Sequence, residues 1–330
     1  MGASLSDLLA GGRVLLTDGA TGTNYFQMGL ASGEAPELWN ADAPAKVIEL
    51  HRRFVEAGAD VILTNTFGCN RHRLKLHGNE HRVGELAHRA AAIAAAVADD
   101  ADRPVVVAGS VGPTGELFEP LGALTHDGAV ATFREQIAAL RDGGADVVWI
   151  ETMSAREEVL AAATAAIAEG MPYVATCSFD TAGRTMMGLA PADYPAIFAE
   201  LPVAPLAIGG NCGVGAPDLL VAALAMTATS TFPVVAKGNC GIPEFRGTEI
   251  VYSGTPELMG RYACLAADSG VRIVGGCCGT TPDHVAAMRN ALDAHVPGER
   301  PSIDEVVASV GPLTNARAAE PAPRRQRRRA

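Results

Sequence analysis

Short runs of β-branched and other apolar residues recur along the chain, and each is followed by an Ala- and Leu-rich stretch with helical spacing. The runs cover 14–20, 61–67, 105–112, 147–153, 173–179, 205–211, 232–239 and 272–279, and they predict eight strands. The stretches that follow predict helices over 43–58, 80–99, 127–143, 156–170, 192–201, 217–228, 255–270 and 282–295. Ser154 and Thr281 stand where helix N-caps belong, Pro217 and Pro282 suit a first helical turn, and Gly58, Gly143, Gly170 and Gly270 suit helix ends. Strands that are apolar on both faces and alternate with helices are parallel strands covered on both sides. Eight such units predict an α/β fold of the closed (β/α)8 TIM-barrel kind. An open doubly wound sheet would carry a Gly-rich phosphate turn after its first strand, whereas the turn here reads DGATGT from Asp18.

The barrel is expected over 1–300, with 301–330 as an extension that ends in a disordered, arginine-rich tail. Its length of 330 residues suits one barrel, and 48% hydrophobic against 19% charged residues supplies a large core. The formal charge is −11; from Glu320 onward five arginines outweigh one glutamate, so residues 1–319 carry −15. An acidic body argues against a nucleic-acid partner. No apolar run reaches the ~18 residues of a membrane span, and the N-terminus has no basic leader. Seven cysteines, scattered and odd in number, read as thiols of a reducing compartment, and the expected location is cytoplasmic. The composition leaves room for a homo-oligomer.

Barrel enzymes carry their chemistry at the C-terminal ends of the strands. Those ends hold Asp18, Asn65, Thr66, Ser110, Glu151, Asn211, Cys212, Asn239, Cys240, Cys277 and Cys278. Cys277 and Cys278 are adjacent and flanked by glycines, which let both sulfurs face one point. A third thiolate from Cys212 or Cys240, each in an Asn-Cys-Gly at a strand end, would complete a three-sulfur zinc site with one open position; spacing does not separate the two. Such a site suits activation of a substrate thiol for alkyl transfer to sulfur. Asp18 and Glu151 are candidates to hold the ammonium of an amino-acid thiol. Lys237, one of three lysines and the one on a predicted strand, keeps a Schiff-base aldolase as a rival, and a thiol-binding module serving a separate corrinoid protein is a second.

DGATGT from Asp18, TNTF from Thr64, GSVGPTGE from Gly109, IET from Ile150, GGNCGVG from Gly209 and GGCCGTTPDH from Gly275 together resemble the homocysteine S-methyltransferase family, over about residues 15–288. The resemblance implies zinc held by Cys212, Cys277 and Cys278, with Cys240 outside the set. It implies homocysteine and a methyl donor as the small-molecule partners, with Asp18 and Glu151 on the homocysteine amine and Asn211 beside the substrate. The chain is short for the folate and cobalamin modules of full methionine synthase, so a small onium donor is expected, with glycine betaine first. S-methylmethionine and a corrinoid partner are the alternatives. Trp39, in the loop after the first strand, is the expected donor-binding aromatic, since animal betaine enzymes have a functional Trp in this loop and an onium needs aromatic faces. Where those enzymes place an aromatic just after the TNTF-like segment, this chain has Gly68.

Overall fold

The structure, a computed structural model, describes residues 4–241, 243–246 and 249–314. The arginine-rich tail lies outside the described residues. Helix α1 (Leu5–Ala10) precedes β1 (Leu15–Leu16), which is followed by α2 (Gly22–Gln27), α3 (Trp39–Asp42) and α4 (Pro44–Glu56). Strand β2 (Val61–Leu63) leads through α5 (Arg71–Lys75) to α6 (Val83–Asp99). Then β3 (Val106–Val111), α7 (His126–Asp142), β4 (Val147–Met153), α8 (Arg156–Ala168) and β5 (Tyr173–Cys177) alternate. After a 3-10 turn at Tyr194–Phe198 come β6 (Ala207–Cys212), α9 (Ala216–Thr229) and β7 (Val234–Gly238). An antiparallel hairpin, β8 (Pro243–Arg246) and β9 (Glu249–Tyr252), precedes α10 (Pro256–Asp268), β10 (Val271–Gly276), α11 (Pro282–Asp293) and α12 (Ile303–Val310).

The eight strands other than the hairpin form one parallel sheet in the order β1-β10-β7-β6-β5-β4-β3-β2. The two ends of that order meet. Thr17 bridges Val61, the Asp60 N–H donates to the Leu16 carbonyl at 2.6 Å, and the Asp18 N–H donates to the Val61 carbonyl at 3.0 Å. Two carboxylates complete the seam: Asp60 accepts from the Leu16 N–H at 2.9 Å, and Asp18 accepts from the Leu63 N–H at 2.7 Å. The fold is a (β/α)8 barrel.

The inside of the barrel is a packed core of one or two apolar side chains per strand, among them Leu15, Val61, Val106, Trp149, Val235 and Ile273, with Leu5 of α1 against its lower end. Trp149 is the largest fully buried side chain among the described residues, and it shares this cluster with the small side chains of Ala108 and Ala207. Helix α12 lies against α9 and α10 and buries Val306 and Val310, so the chain beyond residue 300 continues the outer layer as far as it is described. No helix among the described residues is long and apolar enough to cross a membrane.

Two local expectations need correcting. The helix expected over 192–201 is a short 3-10 stretch at Tyr194–Phe198; Pro202 disfavours helical backbone at Leu201 and so bars its extension. Ser154 is not a cap; Ala155 holds that position before α8, without a side-chain bond. Gly143 does stand at a helix end, as the C-cap of α7, with the left-handed Gly144 directly after it. Thr281 caps α11 in a reciprocal box with His284.

Candidate active site

Three cysteines meet at the C-terminal mouth. Cys212 closes β6 at a φ of 61°, rare for a residue with a side chain, and Cys277 and Cys278 follow β10 directly. A Cβ on Gly276 would run into the side chain of Thr280, so glycine is what lets the turn through Thr280 fold back and aim both sulfurs inward. The three sulfurs lie within 4.8 Å of one another, with Cys212 Sγ and Cys278 Sγ 3.9 Å apart. Zinc–sulfur bonds of about 2.3 Å in a tetrahedron put sulfurs about 3.8 Å apart, so this cluster fits such a cation. Its electrostatics agree. The Cys277 thiol is pushed far up by its bond with Cys212 and by burial. Cys212, although favoured by the bond from Cys277, is pushed up to about 12 by its contact with Cys278 and by burial. Three such thiols ionise together when a cation supplies the missing charge.

The two Asn-Cys-Gly repeats, alike in spacing, diverge in space. Cys240 is buried outside the cluster, its sulfur packed on Gly254 and its N–H donating to the Cys278 carbonyl at 2.9 Å. Asn239 accepts from the Cys278 N–H at 3.0 Å, whereas Asn211 braces β4. Asn211 Oδ1 accepts from the Thr152 N–H at 2.8 Å and from Thr176 Oγ1 at 2.7 Å, and its Nδ2 faces Cys277 Sγ at 3.8 Å. Asn211 is fully buried and does not line the cavity.

Thr152 sits at a φ of 61° where the β4–β5 register shifts, a bulge that re-aims its neighbour Glu151. Glu151 is buried at the cavity floor and accepts from Ser110 Oγ at 2.5 Å. Burial pushes its carboxyl up, opposed by Lys237 and Ser110. Asp18 lies deeper, with one oxygen 3.1 Å from Lys237 Nζ and the other on the Leu63 N–H. Burial pushes it up too, against the pull of Lys237. Lys237 lines the cavity; Asp18 does not.

The cavity measures about 510 Å³, within the usual range for a small-molecule site. Its outer half presents Phe26 and Phe67, the buried acid Glu37, and Arg73 with His77. Glu37 accepts from the Gly68 N–H at 2.6 Å, and a Cβ on residue 68 would lie 2.8 Å from that carboxylate. The glycine is therefore where a carboxylate approaches the chain. Trp39 is 8% exposed and stands outside the cavity wall, its ring 5.0 Å from that of Tyr25 and under Lys46 Nζ at 4.3 Å. The aromatic faces on the wall are Phe26 and Phe67. Sequence reasoning passed over Glu37, Phe67 and the bent backbone at Thr152. An acid inside the otherwise apolar PELW segment was the one available signal.

Fold and site together define a (β/α)8 barrel with a cluster of three thiols and a buried carboxylate at its C-terminal mouth. The homocysteine S-methyltransferase family model matches residues 15–292, and the chain belongs to that family. Two mycobacterial methionine synthases are each 31% identical, that of Mycobacterium leprae over 90% of this chain and that of Mycobacterium tuberculosis over 85%. The chain spans about a quarter of the length of these relatives, 27% and 25%. The homocysteine methyltransferase MmuM of Escherichia coli superposes with a TM-score of 0.73 in its oxidized form and 0.72 in its metallated form. Identity is 24% in both comparisons, and 86% of this chain is covered, with 97% and 98% of MmuM.

Proposed function

We propose that this protein transfers a methyl group from a small zwitterionic onium donor, glycine betaine being the simplest, to the sulfur of homocysteine, giving methionine. The reading is carried by one observation: three convergent thiols share a cavity with the buried, Ser110-oriented carboxylate of Glu151. Cys212, Cys277 and Cys278 would hold zinc, which when bound supplies the charge that keeps a substrate thiol ionised near neutral pH. Glu151 receives the substrate ammonium, and Ser110 fixes the carboxylate's direction. In the outer half, Phe26 and Phe67 offer π faces and Glu37 a negative charge to the onium group. Arg73 and His77, on the same cavity wall, are the cations available for the donor carboxylate. The substrate sulfur forms a bond to the methyl carbon as the carbon–nitrogen bond breaks. Nitrogen keeps that electron pair and leaves as a neutral tertiary amine.

The test supplies zinc-loaded protein with homocysteine and, separately, betaine, S-methylmethionine and methyltetrahydrofolate, and quantifies methionine. Methionine with betaine is expected. Faster turnover of S-methylmethionine would reassign the donor, and no methionine from any of the three would overturn the reading.

A further inference from the structure

We infer that Lys237 binds the α-carboxylate of the amino-acid thiol and that Asp18 is a positioning residue holding Lys237, rather than a partner of the substrate ammonium. The inference rests on the homocysteine reading above and changes how its substrate is held. Lys237 sits on β7 opposite Asn211 of β6 and Gly275 of β10, between the two strands that deliver the cysteines. Its side chain is 3% exposed and reaches the cavity, while Asp18 behind it does not. An ammonium has three N–H donors. Among the described residues Lys237 Nζ uses them on one hydrogen-bond partner, Asp18 Oδ1 at 3.1 Å. The remaining donors belong to a group buried at the floor of a binding cavity, where an N–H without an acceptor is costly.

Asp18 has spent its capacity differently. One oxygen faces Lys237 and the other accepts the Leu63 N–H that closes the barrel. A substrate ammonium seeking Asp18 would meet the Lys237 ammonium first, and like charges repel. The cavity floor therefore presents Glu151 as its anion and Lys237 as its cation, the complement of an α-ammonium and an α-carboxylate on one carbon. The same pairing counts against the aldolase alternative, since Lys237 Nζ is engaged by Asp18 at 3.1 Å. The carboxylates of Asp18 and Glu151 keep the proton on Lys237 against the effect of burial, and a protonated amine does not attack a carbonyl.

The experiment measures binding to the zinc-loaded full chain by calorimetry, with homocysteine and with the aminothiol left when its carboxylate is removed. Wild type should bind homocysteine about 10- to 100-fold more tightly than the aminothiol, the range of one charged hydrogen bond. Lys237→Met should lose that preference by weakening homocysteine alone, and Lys237→Arg should restore part of it. Lys237→Met strands a buried carboxylate, so Asp18→Asn/Lys237→Met, which removes both charges, is the second variant and should show the same loss of preference. Unchanged homocysteine affinity in these variants, or equal weakening of both thiols, would overturn the inference while leaving the homocysteine reading intact. Wild type that binds neither thiol would overturn both.

Discussion

Thr152 and Asn211 hold each other at two points: the Thr152 N–H donates to Asn211 Oδ1 at 2.8 Å, and Asn211 Nδ2 donates to Thr152 Oγ1 at 2.7 Å. A β-branched residue at positive φ costs about 1 to 3 kcal/mol and persists where its surroundings over-determine it. Asn211 is that surrounding. It carries the conformation that sets Glu151 beside the thiols, and it touches the Cys277 sulfur with the same amide.

Asn211→Ala should therefore lower stability by about 1 to 3 kcal/mol, the cost of buried groups left unpaired. It should also lower zinc occupancy at equal total metal. Urea midpoints and metal content check the two effects. Thr152→Gly, which removes the strain but keeps the N–H to Asn211, should stay as stable as wild type within about 1 kcal/mol.

Alanine at Cys212, Cys277 or Cys278 should abolish tight zinc binding, because two remaining thiolates leave a tetrahedral site half filled. Cys240→Ala should bind about one zinc per chain. Loss of metal from Cys240→Ala with retention by Cys212→Ala would reverse the assignment.

Glu151→Gln keeps the shape of the side chain and its contact with Ser110 but removes the charge. Homocysteine affinity should fall by about 10- to 100-fold, the equivalent of about 1.4 to 2.7 kcal/mol, with zinc content unchanged. Ser110→Ala, which frees the carboxylate to turn, should weaken binding less. Calorimetric titration distinguishes the two.

Phe67→Ala should raise the betaine KM about three- to thirtyfold, since an aromatic face over a cation is worth about 0.5 to 2 kcal/mol. Trp39→Ala should act on the fold, with a stability loss of about 3 to 5 kcal/mol for a truncated core Trp. An increased betaine KM in Trp39→Phe, at unchanged stability, would put the indole back among the donor contacts.

His51 of α4 is buried and neither ring nitrogen has a partner among the described residues, and burial lowers its pKa to about 4. In the unfolded chain it titrates near ~6.5. Between these values the unfolded state takes up a proton that the native state refuses, so this residue's contribution to stability is complete above the upper value and is lost as pH falls. The loss should reach about 2 to 3 kcal/mol by pH ~4.5. His51→Leu should flatten the pH dependence by that amount relative to wild type, measured by urea unfolding across the range.

Much of this architecture was legible because parallel barrel strands are buried on both faces and so stand out as unbroken apolar runs; 147–153 matches β4 to the residue. The hairpin of β8 and β9 was not legible, since a short excursion between a barrel strand and its helix carries no repeat to mark it. Nor was the choice between Cys212 and Cys240, which spacing left even and the turn geometry separates. The pairing of Lys237 with Asp18, residues 219 apart in the chain, comes from barrel closure and has no local signature. The Trp39 expectation read an aromatic in a loop as a contact with ligand, whereas α3 turns that ring inward against Tyr25.

The carboxylate of Asp18 does the work of a missing rung between the first and second strands, since the Leu63 amide ends on its side chain instead of on a backbone carbonyl. The barrel's weakest join is thus fastened by the group that also anchors Lys237. Amide hydrogen exchange at Leu63 consequently becomes a built-in gauge. Opening of the join exposes that one proton to solvent, and any ligand that draws Lys237 toward itself alters the fastening and shifts the exchange rate at Leu63, although the ligand does not touch it.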